Sequence, residues 1–176
     1  MMSSLQSDIV GELRIACSTT GGKYILPQLA ARFCQKFPGI SVRIFSCGPE
    51  QTTLNLLEGE AHLGVVSTEI DDPSLELQMF FRDRITLIVP SNHRWALRRQ
   101  IDPGEILEEP FIMREATSGT RRVVLAELAK HDISFEDLNV FLELGNAEAI
   151  VRTVAAGYGI SFSSILASSC PLERGN

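Results

Sequence analysis

The sequence predicts an α/β protein built from two lobes, with mainly parallel sheets and flanking helices. Short apolar runs typical of strands alternate with helical periods, and this alternation favours right-handed crossovers between parallel strands. The order strand, Ser/Thr/Gly turn, helix occurs near residues 13–37 and again near 111–130, with negligible identity between the two copies. The 176 residues are enough for one domain or for two small lobes that each bury a core.

The first lobe is expected to span residues 11–85. Its strands are predicted at 13–17, 42–45, 63–66 and 75–81, and its helices at 26–37 and 49–59. Pro49 suits the first position of the second helix, whose Leu54 and Leu57 are expected to face inward. Residues 18–22, between the first strand and the first helix, are expected to form a polar turn.

The second lobe is expected to span residues 86–163, joined to the first near 84–90. Its strands are predicted at 84–90, 111–113, 140–144 and 160–163, and its helices at 120–130 and 146–157, with a helix of one or two turns opening at 102–105. Asn146 suits the cap of the last helix and Gly157 its end. A polar turn at 115–120 follows the second of these strands, as 18–22 follows the first strand of the chain.

Composition and charge exclude several classes of protein. Apolar residues make up 44% and charged residues 22%, the profile of a globular protein. The net charge of −6 argues against a stand-alone nucleic-acid binder, since the scattered arginine clusters also lack interleaved aromatic residues. No apolar run is long enough to span a membrane. Residues 1–8 lack the basic and apolar regions of a secretory signal, so a cytoplasmic protein is expected.

The cysteines and histidines predict neither a metal site nor a catalytic centre. Four cysteines form no CxxC pair and show no metal-ligand spacing with the three histidines. They are Cys17, Cys34, Cys47 and Cys170. We expect free thiols, no metal and no cofactor. The histidines pair with no obvious nucleophile, and phosphate-loop, dinucleotide and zinc-protease motifs are absent, so an enzyme is not expected.

Two polar turns are the candidate ligand-binding elements. Ligands of α/β sheets bind at the carboxyl ends of strands, where helix N-termini present free N–H groups. The first turn offers Ser18, Thr19 and Thr20, and the second offers Thr117, Ser118, Gly119 and Thr120. The alternative is that these residues only cap helices and form turns.

Three cations close to the predicted helix starts favour an anionic ligand over simple capping. They are Lys23, Arg121 and Arg122. Cations at a helix N-terminus oppose its dipole, so a nearby anion would explain them. Solvated surface arginines are the alternative.

Five segments carry a resemblance to a known family. They are GELRIA at 11–16 with the following LP and FPG, LNLLEGEAHLG at 54–64, PSNHR at 90–94, RE with SGTR at 114–121, and AAGYGI at 155–160. In combination they resemble the effector-binding domain of LysR-type transcriptional regulators. The fourth is most similar to the subgroup that regulates sulfur metabolism or carbon-fixation operons.

The resemblance implies two α/β lobes like those of periplasmic binding proteins, with a small effector in the cleft between them. The residues that it implies as ligands are Ser18, Thr19, Thr20, Ser67, Thr117, Ser118, Gly119, Thr120, Arg121, Ile160 and Ser161. It also implies a homodimer in which helix 24–37 lies near helix 120–130 of the partner.

Two departures from the family pattern bear on function. The DNA-binding helix-turn-helix and its linker helix are absent, and the chain stops soon after a return into the first lobe is expected to begin, at 164–176. We therefore expect a ligand-sensing domain that binds a small anionic effector. Its dimer geometry would signal to a DNA-binding segment outside this chain. A solute-binding transport protein of the same fold is the main alternative, and an enzyme on this fold the third.

Overall fold

The computed structural model describes residues 9–168, which form two compact units. The first unit ends at Gln78 and the second begins at Met79. The predicted lobe limits of 11–85 and 86–163 stay predictions. Most of the predicted return, from residue 169 onward, lies outside the described residues.

The first unit is a three-stranded parallel sheet with two helices. Its elements are β1 (Gly11–Cys17), α1 (Leu26–Lys36), β2 (Ile40–Ser46), α2 (Pro49–Leu57) and β3 (Leu63–Val65). The strand order is β2-β1-β3, with β1 central and both pairings parallel. This confirms the predicted parallel α/β arrangement, because each strand returns to the same sheet through a helix.

A small buried cluster holds this unit together. Ile15 and Cys17 of β1 pack with Leu26, the first residue of α1. Partly buried side chains of the three strands complete the cluster. Alternate residues of β1 point to this side, which is the strand period expected for a sheet covered by a helix.

One orientation predicted for α2 is wrong. Leu54 and Leu57 are about half exposed, whereas Thr52 is buried. Thr52 and Leu56, four residues apart and therefore on one helix face, border Gly64 of β3. The face of α2 that packs against β3 is therefore the one that carries Thr52. The spacing of the leucines indicated a different face.

The second unit combines parallel and antiparallel pairing. Its elements are β4 (Ile85–Ile88), β5 (Phe111–Arg114), α3 (Gly119–Leu128), β6 (Val140–Leu144), α4 (Ala147–Ala155), β7 (Ser161–Ser164) and α5 (Ile165–Ser168). Strands β5 and β6 are parallel, and β4 and β7 are antiparallel. A parallel bridge between Phe111 and Ile160 links the two pairs.

The core of the second unit is larger than that of the first. Nine buried side chains, among them Trp95, Ile106 and Phe111, form its main cluster. Ile112, Ile150 and Val154 form another between β5 and α4. The predicted short helix is a 3₁₀ segment at Pro103–Glu108, opened by a capping box.

The strand predicted at 75–81 is wrong. These residues adopt no strand, and no strand of residues 9–168 pairs with them. Leu77, Met79, Phe80 and Phe81 are exposed. Their apolar alternation suits a strand, but a strand forms only where a neighbour accepts its backbone hydrogen bonds.

No helix of the described residues is long and apolar enough to cross a membrane.

Candidate functional site

The three strands of the first unit end together. The amide of Ser18 donates to the carbonyl of Val65 at 2.9 Å, and the amide of Cys47 donates to the carbonyl of Cys17 at 2.9 Å. The residues that follow each strand are thereby drawn to one edge of the sheet. They include the predicted Ser18, and Ser67 lies two residues beyond β3.

The predicted turn at 18–22 is largely helical. Thr19 and Thr20 already have helical backbone, and Gly21–Ile25 forms a π-helical turn that leads into α1. Ser18 begins this segment, since its Oγ accepts from the amide of Gly21 at 3.3 Å. All three hydroxyl residues are half-buried. π-helical turns inside α-helices are frequent at functional sites.

Gly22 is required by the sheet. A Cβ at this position would lie 2.6 Å from Cys17 Sγ and 3.0 Å from Ser46 Oγ. The glycine therefore allows the helix start to approach the ends of β1 and β2.

The same edge holds polar groups that sequence reasoning missed. Cys47 Sγ lies 3.2 Å from Thr52 Oγ1, and Asn55 Nδ2 donates to Cys47 Sγ at 3.8 Å. Burial is the main cause that raises the pKa of the Cys17 thiol, so this thiol stays protonated. Thr68 Oγ1 is buried without a hydrogen-bond partner among the described residues.

The second predicted turn contains a helix cap. Ser118 is the N-cap of α3 and accepts from the amide of Arg121 at 3.5 Å. Ser118 and Gly119 are buried, Thr120 is half-buried and Thr117 is exposed. The capping alternative therefore holds for Ser118, while both threonines keep accessible side chains.

Arg121 has partners within its own unit. Its Nη1 donates to Glu143 Oε2 at 2.6 Å and to the carbonyl of Arg114 at 3.0 Å. Its guanidinium also lies over the ring of Phe135, 4.4 Å from the centroid. These contacts account for a cation at the start of α3 without an external anion.

Ile160 and Ser161 belong to the sheet. The carbonyl of Ile160 accepts from the amide of Ile112 at 2.9 Å, and Ser161 Oγ donates to the carbonyl of Ile112 at 2.6 Å. Both residues are buried. The backbone of Ile160 and the hydroxyl of Ser161 therefore hold β7 beside β5.

Sequence reasoning also missed a buried arginine next to the second turn. Arg114 ends β5 with its side chain only 5% exposed. Its Nε and Nη2 donate to Glu115 Oε2 and Oε1 at 2.7 and 2.8 Å. Apart from the family resemblance, the only signal in the sequence was a charged pair directly before a Ser/Thr/Gly turn. No group of acidic, histidine and cysteine side chains within residues 9–168 could hold a metal ion.

The comparison with protein families decides the classification. The family model described as the LysR substrate binding domain matches residues 6–176. The chain belongs to this family. The predicted resemblance is thereby confirmed.

Relatives of this LysR-family chain are transcriptional regulators. The uncharacterized HTH-type transcriptional regulator MJ0300 of Methanocaldococcus jannaschii is 32% identical over 164 residues, covering 93% of this chain and 55% of the relative. A probable RuBisCO transcriptional regulator of Cyanophora paradoxa is 30% identical over 168 residues, covering 94% of this chain and 52% of the relative. The chain thus spans about half the length of the curated relatives it matches.

Solved structures confirm the fold of this LysR-family chain. The CcmR regulatory domain of Synechocystis PCC6803, solved in complex with 2-PG, has a TM-score of 0.81 and 34% identity, covering 94% of this chain and 76% of that chain. The cofactor-binding domain of the Cbl transcriptional regulator has a TM-score of 0.84 and 25% identity, covering 99% of this chain and 75% of that chain. The family is one of regulator domains rather than of enzymes. Its members support the regulatory interpretation over a transport protein.

Proposed function

We propose that this LysR-family chain is the ligand-sensing domain of a transcriptional regulator and that its ligand is a small anion. The observation that carries the proposal is the hydroxyl-bearing segment at a strand end in each unit, followed at once by a helix. Backbone N–H groups and hydroxyls at such a point bind oxyanions. The complex of the related CcmR domain with 2-PG supports a small-molecule ligand for this fold.

The first unit offers the more open set of donors. In the segment before α1 Ser18 Oγ accepts from the amide of Gly21, and Gly48, the N-cap of α2, makes no side-chain hydrogen bond. The first amides of a helix lack intrahelical partners, so a ligand can accept from them. Thr19 and Thr20 stand at this place with half-buried hydroxyls.

The second unit contributes Thr117 and Thr120, and the amides of Gly119 and Thr120 at the start of α3. Ser118 and Arg121 position this turn through their contacts within the unit. Ser67, Ile160 and Ser161 are weaker candidates, because the last two already serve the sheet. Contact of one ligand with both turns stays a prediction, and variants in both turns test it.

Signalling would be a population shift. An effector that binds one arrangement of the domain better than another raises the population of that arrangement, by no more than its differential affinity. The DNA-binding part would lie in the portion of the relatives that this chain does not span, and the regulator would act in the cytoplasm without catalysing a reaction. A homodimer would transmit the change, with helix 24–37 near helix 120–130 of the partner.

Exposed apolar residues on both helices support the dimer. Leu29 of α1 is 43% exposed and Val123 of α3 is 39% exposed. Leu29→Glu and Val123→Glu should each convert a dimer to a monomer in sedimentation velocity, while Leu97→Glu, at a fully exposed loop position, should not. Dimers that persist in both helix variants would contradict this interface.

Calorimetric titration tests the ligand class. The panel is 2-PG, sulfate, inorganic phosphate and small carboxylates. Each charge-assisted hydrogen bond lost contributes about 1.5–3 kcal/mol, so Thr19→Ala and Thr120→Ala should weaken binding by about one to two decades.

Matched controls come from two threonines whose hydroxyls donate to carbonyl groups of their own helices. Thr53 Oγ1 donates to the carbonyl of Pro49 at 3.1 Å, and Thr153 Oγ1 donates to the carbonyl of Ala149 at 2.8 Å. Thr53→Ala and Thr153→Ala should bind as the wild type does. If Thr19→Ala and Thr120→Ala bind every anion as tightly as the wild type, the assigned residues are wrong.

A further inference from the structure

Arg114 is a buried cation whose counter-ion is the residue next to it. With 5% of its side chain exposed, the guanidinium has little access to water. An unpaired charge at such a depth is strongly destabilising, so an anion must accompany it. Glu115 supplies that anion through two parallel hydrogen bonds of 2.7 and 2.8 Å. This fork-to-fork geometry is also the one in which arginine binds an external carboxylate or phosphate.

The pair contributes little to the tertiary fold. A bridge between adjacent residues joins no separate elements, unlike Arg121–Glu143, which ties α3 to β6 across 22 positions. Consecutive residues of a strand point to opposite faces, and the pair forms only because β5 ends at Arg114. Its effect is to neutralise Arg114 rather than to connect the fold.

Glu115 can leave without unfolding the unit. Its side chain is 28% exposed, so the carboxylate can rotate into water while Arg114 stays in place. The backbone of Arg114 is held independently, because its carbonyl accepts from Arg121 Nη1. The guanidinium is therefore a fixed site with a replaceable anion, at the carboxyl end of a strand, three residues before the turn at 117–120.

We propose that the Glu115 carboxylate occupies the place of the effector's charged group when no effector is bound. An effector oxyanion that presents two oxygens displaces this carboxylate and pairs with Arg114. The inference rests on the proposed function and makes it more specific. Arg114 binds the effector's charged group. Glu115 lowers the affinity for the effector, because its carboxylate competes for the same Nε–H and Nη2–H donors of Arg114. Carboxylate and phosphate groups share this chemistry, and the test separates them.

Isothermal titration of the chain with sulfate, inorganic phosphate and malonate tests the proposal. Glu115→Gln keeps the shape of the side chain but removes the competing charge, so at least one of these anions should bind about tenfold more tightly. Glu105→Gln is the matched control, since it removes a carboxylate that accepts two hydrogen bonds from Arg98 in the same unit, and it should leave affinity unchanged. Tighter binding of malonate alone assigns a carboxylate ligand, and tighter binding of phosphate or sulfate assigns a tetrahedral one.

Two further measurements make the outcome independent of folding defects. The double variant Arg114→Gln/Glu115→Gln keeps a neutral pair and should lose the gain of the single variant. In wild-type protein, the Arg114 Nε–H resonance should shift on anion addition while that of Arg98 stays in place.

The possible failures are distinguishable. If the wild type binds an anion but Glu115→Gln binds it no more tightly, or Glu105→Gln gains equally, this inference is wrong and the proposed function stands. If no anion binds either the wild type or Glu115→Gln, the proposed ligand class fails together with it.

Discussion

The two units differ in how completely they bury their apolar residues. The main cluster of the second unit has nine buried side chains, against three in the first unit. Large exposed apolar residues of the described part of the chain occur in both units. Those of the first unit are Ile9, Val10, Leu29, Leu54, Leu57, Leu63 and Leu77, and those of the second are Met79, Phe80, Phe81, Leu97, Leu107, Val123, Phe141 and Tyr158. Burial of apolar area is the main stabilising contribution to folding, so the second unit should be the more stable.

Helix starts show the same contrast. In the second unit Ser118 caps α3, Asn146 caps α4, and Asp102 opens the 3₁₀ segment with a capping box. In the first unit Ser18 Oγ accepts from the amide of Gly21 at 3.3 Å, whereas Gly48, the N-cap of α2, makes no side-chain hydrogen bond.

The contrast shows which unit has more to gain from binding. A ligand that binds only the folded state stabilises it in proportion to the logarithm of its concentration over Kd. With a small core and no side-chain cap on α2, the first unit should respond more strongly to a ligand or a partner that covers it. The predictions below test this difference, beginning with the largest effect.

Removing a core aromatic side chain should have the largest effect. Phe111 is fully buried in the main cluster of the second unit, so Phe111→Ala should cost about 3–5 kcal/mol through lost burial and a cavity. Leu26→Ala, in the small cluster of the first unit, should cost about 2–3 kcal/mol, because its partly exposed neighbours can relax. Urea unfolding followed at amide resonances of each unit measures both.

Hydrogen exchange gives an independent reading of this prediction. Amides of β5 and β6 should exchange more slowly than those of β1 and β2 in the wild type. Equal protection in both units, together with equal costs for the two variants, would contradict the difference in stability.

The order of elements could be predicted from the sequence because it depends on local patterns. The strand at 140–144, the cap at Asn146 and the end of α4 before Gly157 agree with the structure. The strand predicted at 75–81 failed because its formation depends on a neighbouring strand. Leu54 was placed on the wrong face of α2 because the apolar spacing suggested a face, while the packing against Gly64 selected Thr52.

The sequence could predict that the candidate residues lie at the ends of strands. It could not predict which side chains form hydrogen bonds with one another there. Strand ends followed by Ser and Thr identify where ligands bind in α/β sheets. That Arg121 pairs with Glu143, 22 residues away, depends on the register of β6 beside β5, which no local pattern carries. The burial of Arg114 was missed for the same reason.

A methyl group at Gly22 should have the next largest effect. It would meet Cys17 Sγ at 2.6 Å and Ser46 Oγ at 3.0 Å, and overpacking of this kind costs about 1–3 kcal/mol. Gly145→Ala in the second unit, where a Cβ meets nothing within 4 Å, is the control and should change stability by less than about 0.5 kcal/mol. If Gly22→Ala is as stable as the wild type in thermal melts, the first unit is not tightly packed at its strand ends.

Loss of the Asn146 helix cap in the second unit should have a smaller effect on stability. Asn146 Oδ1 accepts from the amides of Glu148 and Ala149 at 2.8 and 3.2 Å, so Asn146→Ala should cost about 1 kcal/mol. Thr20→Ala removes a residue that makes no side-chain cap in the first unit and should cost less than about 0.5 kcal/mol. Chemical unfolding of both variants measures the difference. A larger loss of stability for Thr20→Ala than for Asn146→Ala would contradict the expected difference between these two helix starts.

Acid should have the smallest effect, and again in the second unit. Two hydrogen bonds from Arg98, at 2.7 and 2.9 Å, are the main cause that lowers the pKa of Glu105 to about 2. A carboxylate with a lowered pKa in the folded state contributes stability above its ordinary value of 4.5, and this contribution is lost as the pH falls towards about 2. Glu105→Gln should therefore melt at a lower temperature than the wild type at pH 6, and the difference should shrink as the pH falls to 2. The pair is solvent-exposed, so the difference in melting temperature should be small and should weaken further in high salt.

Arg98→Gln removes the partner of Glu105. Its melting temperature should therefore depend on pH as weakly as that of Glu105→Gln. A wild-type pH profile in Arg98→Gln would mean that the pair does not set the acid sensitivity of this segment.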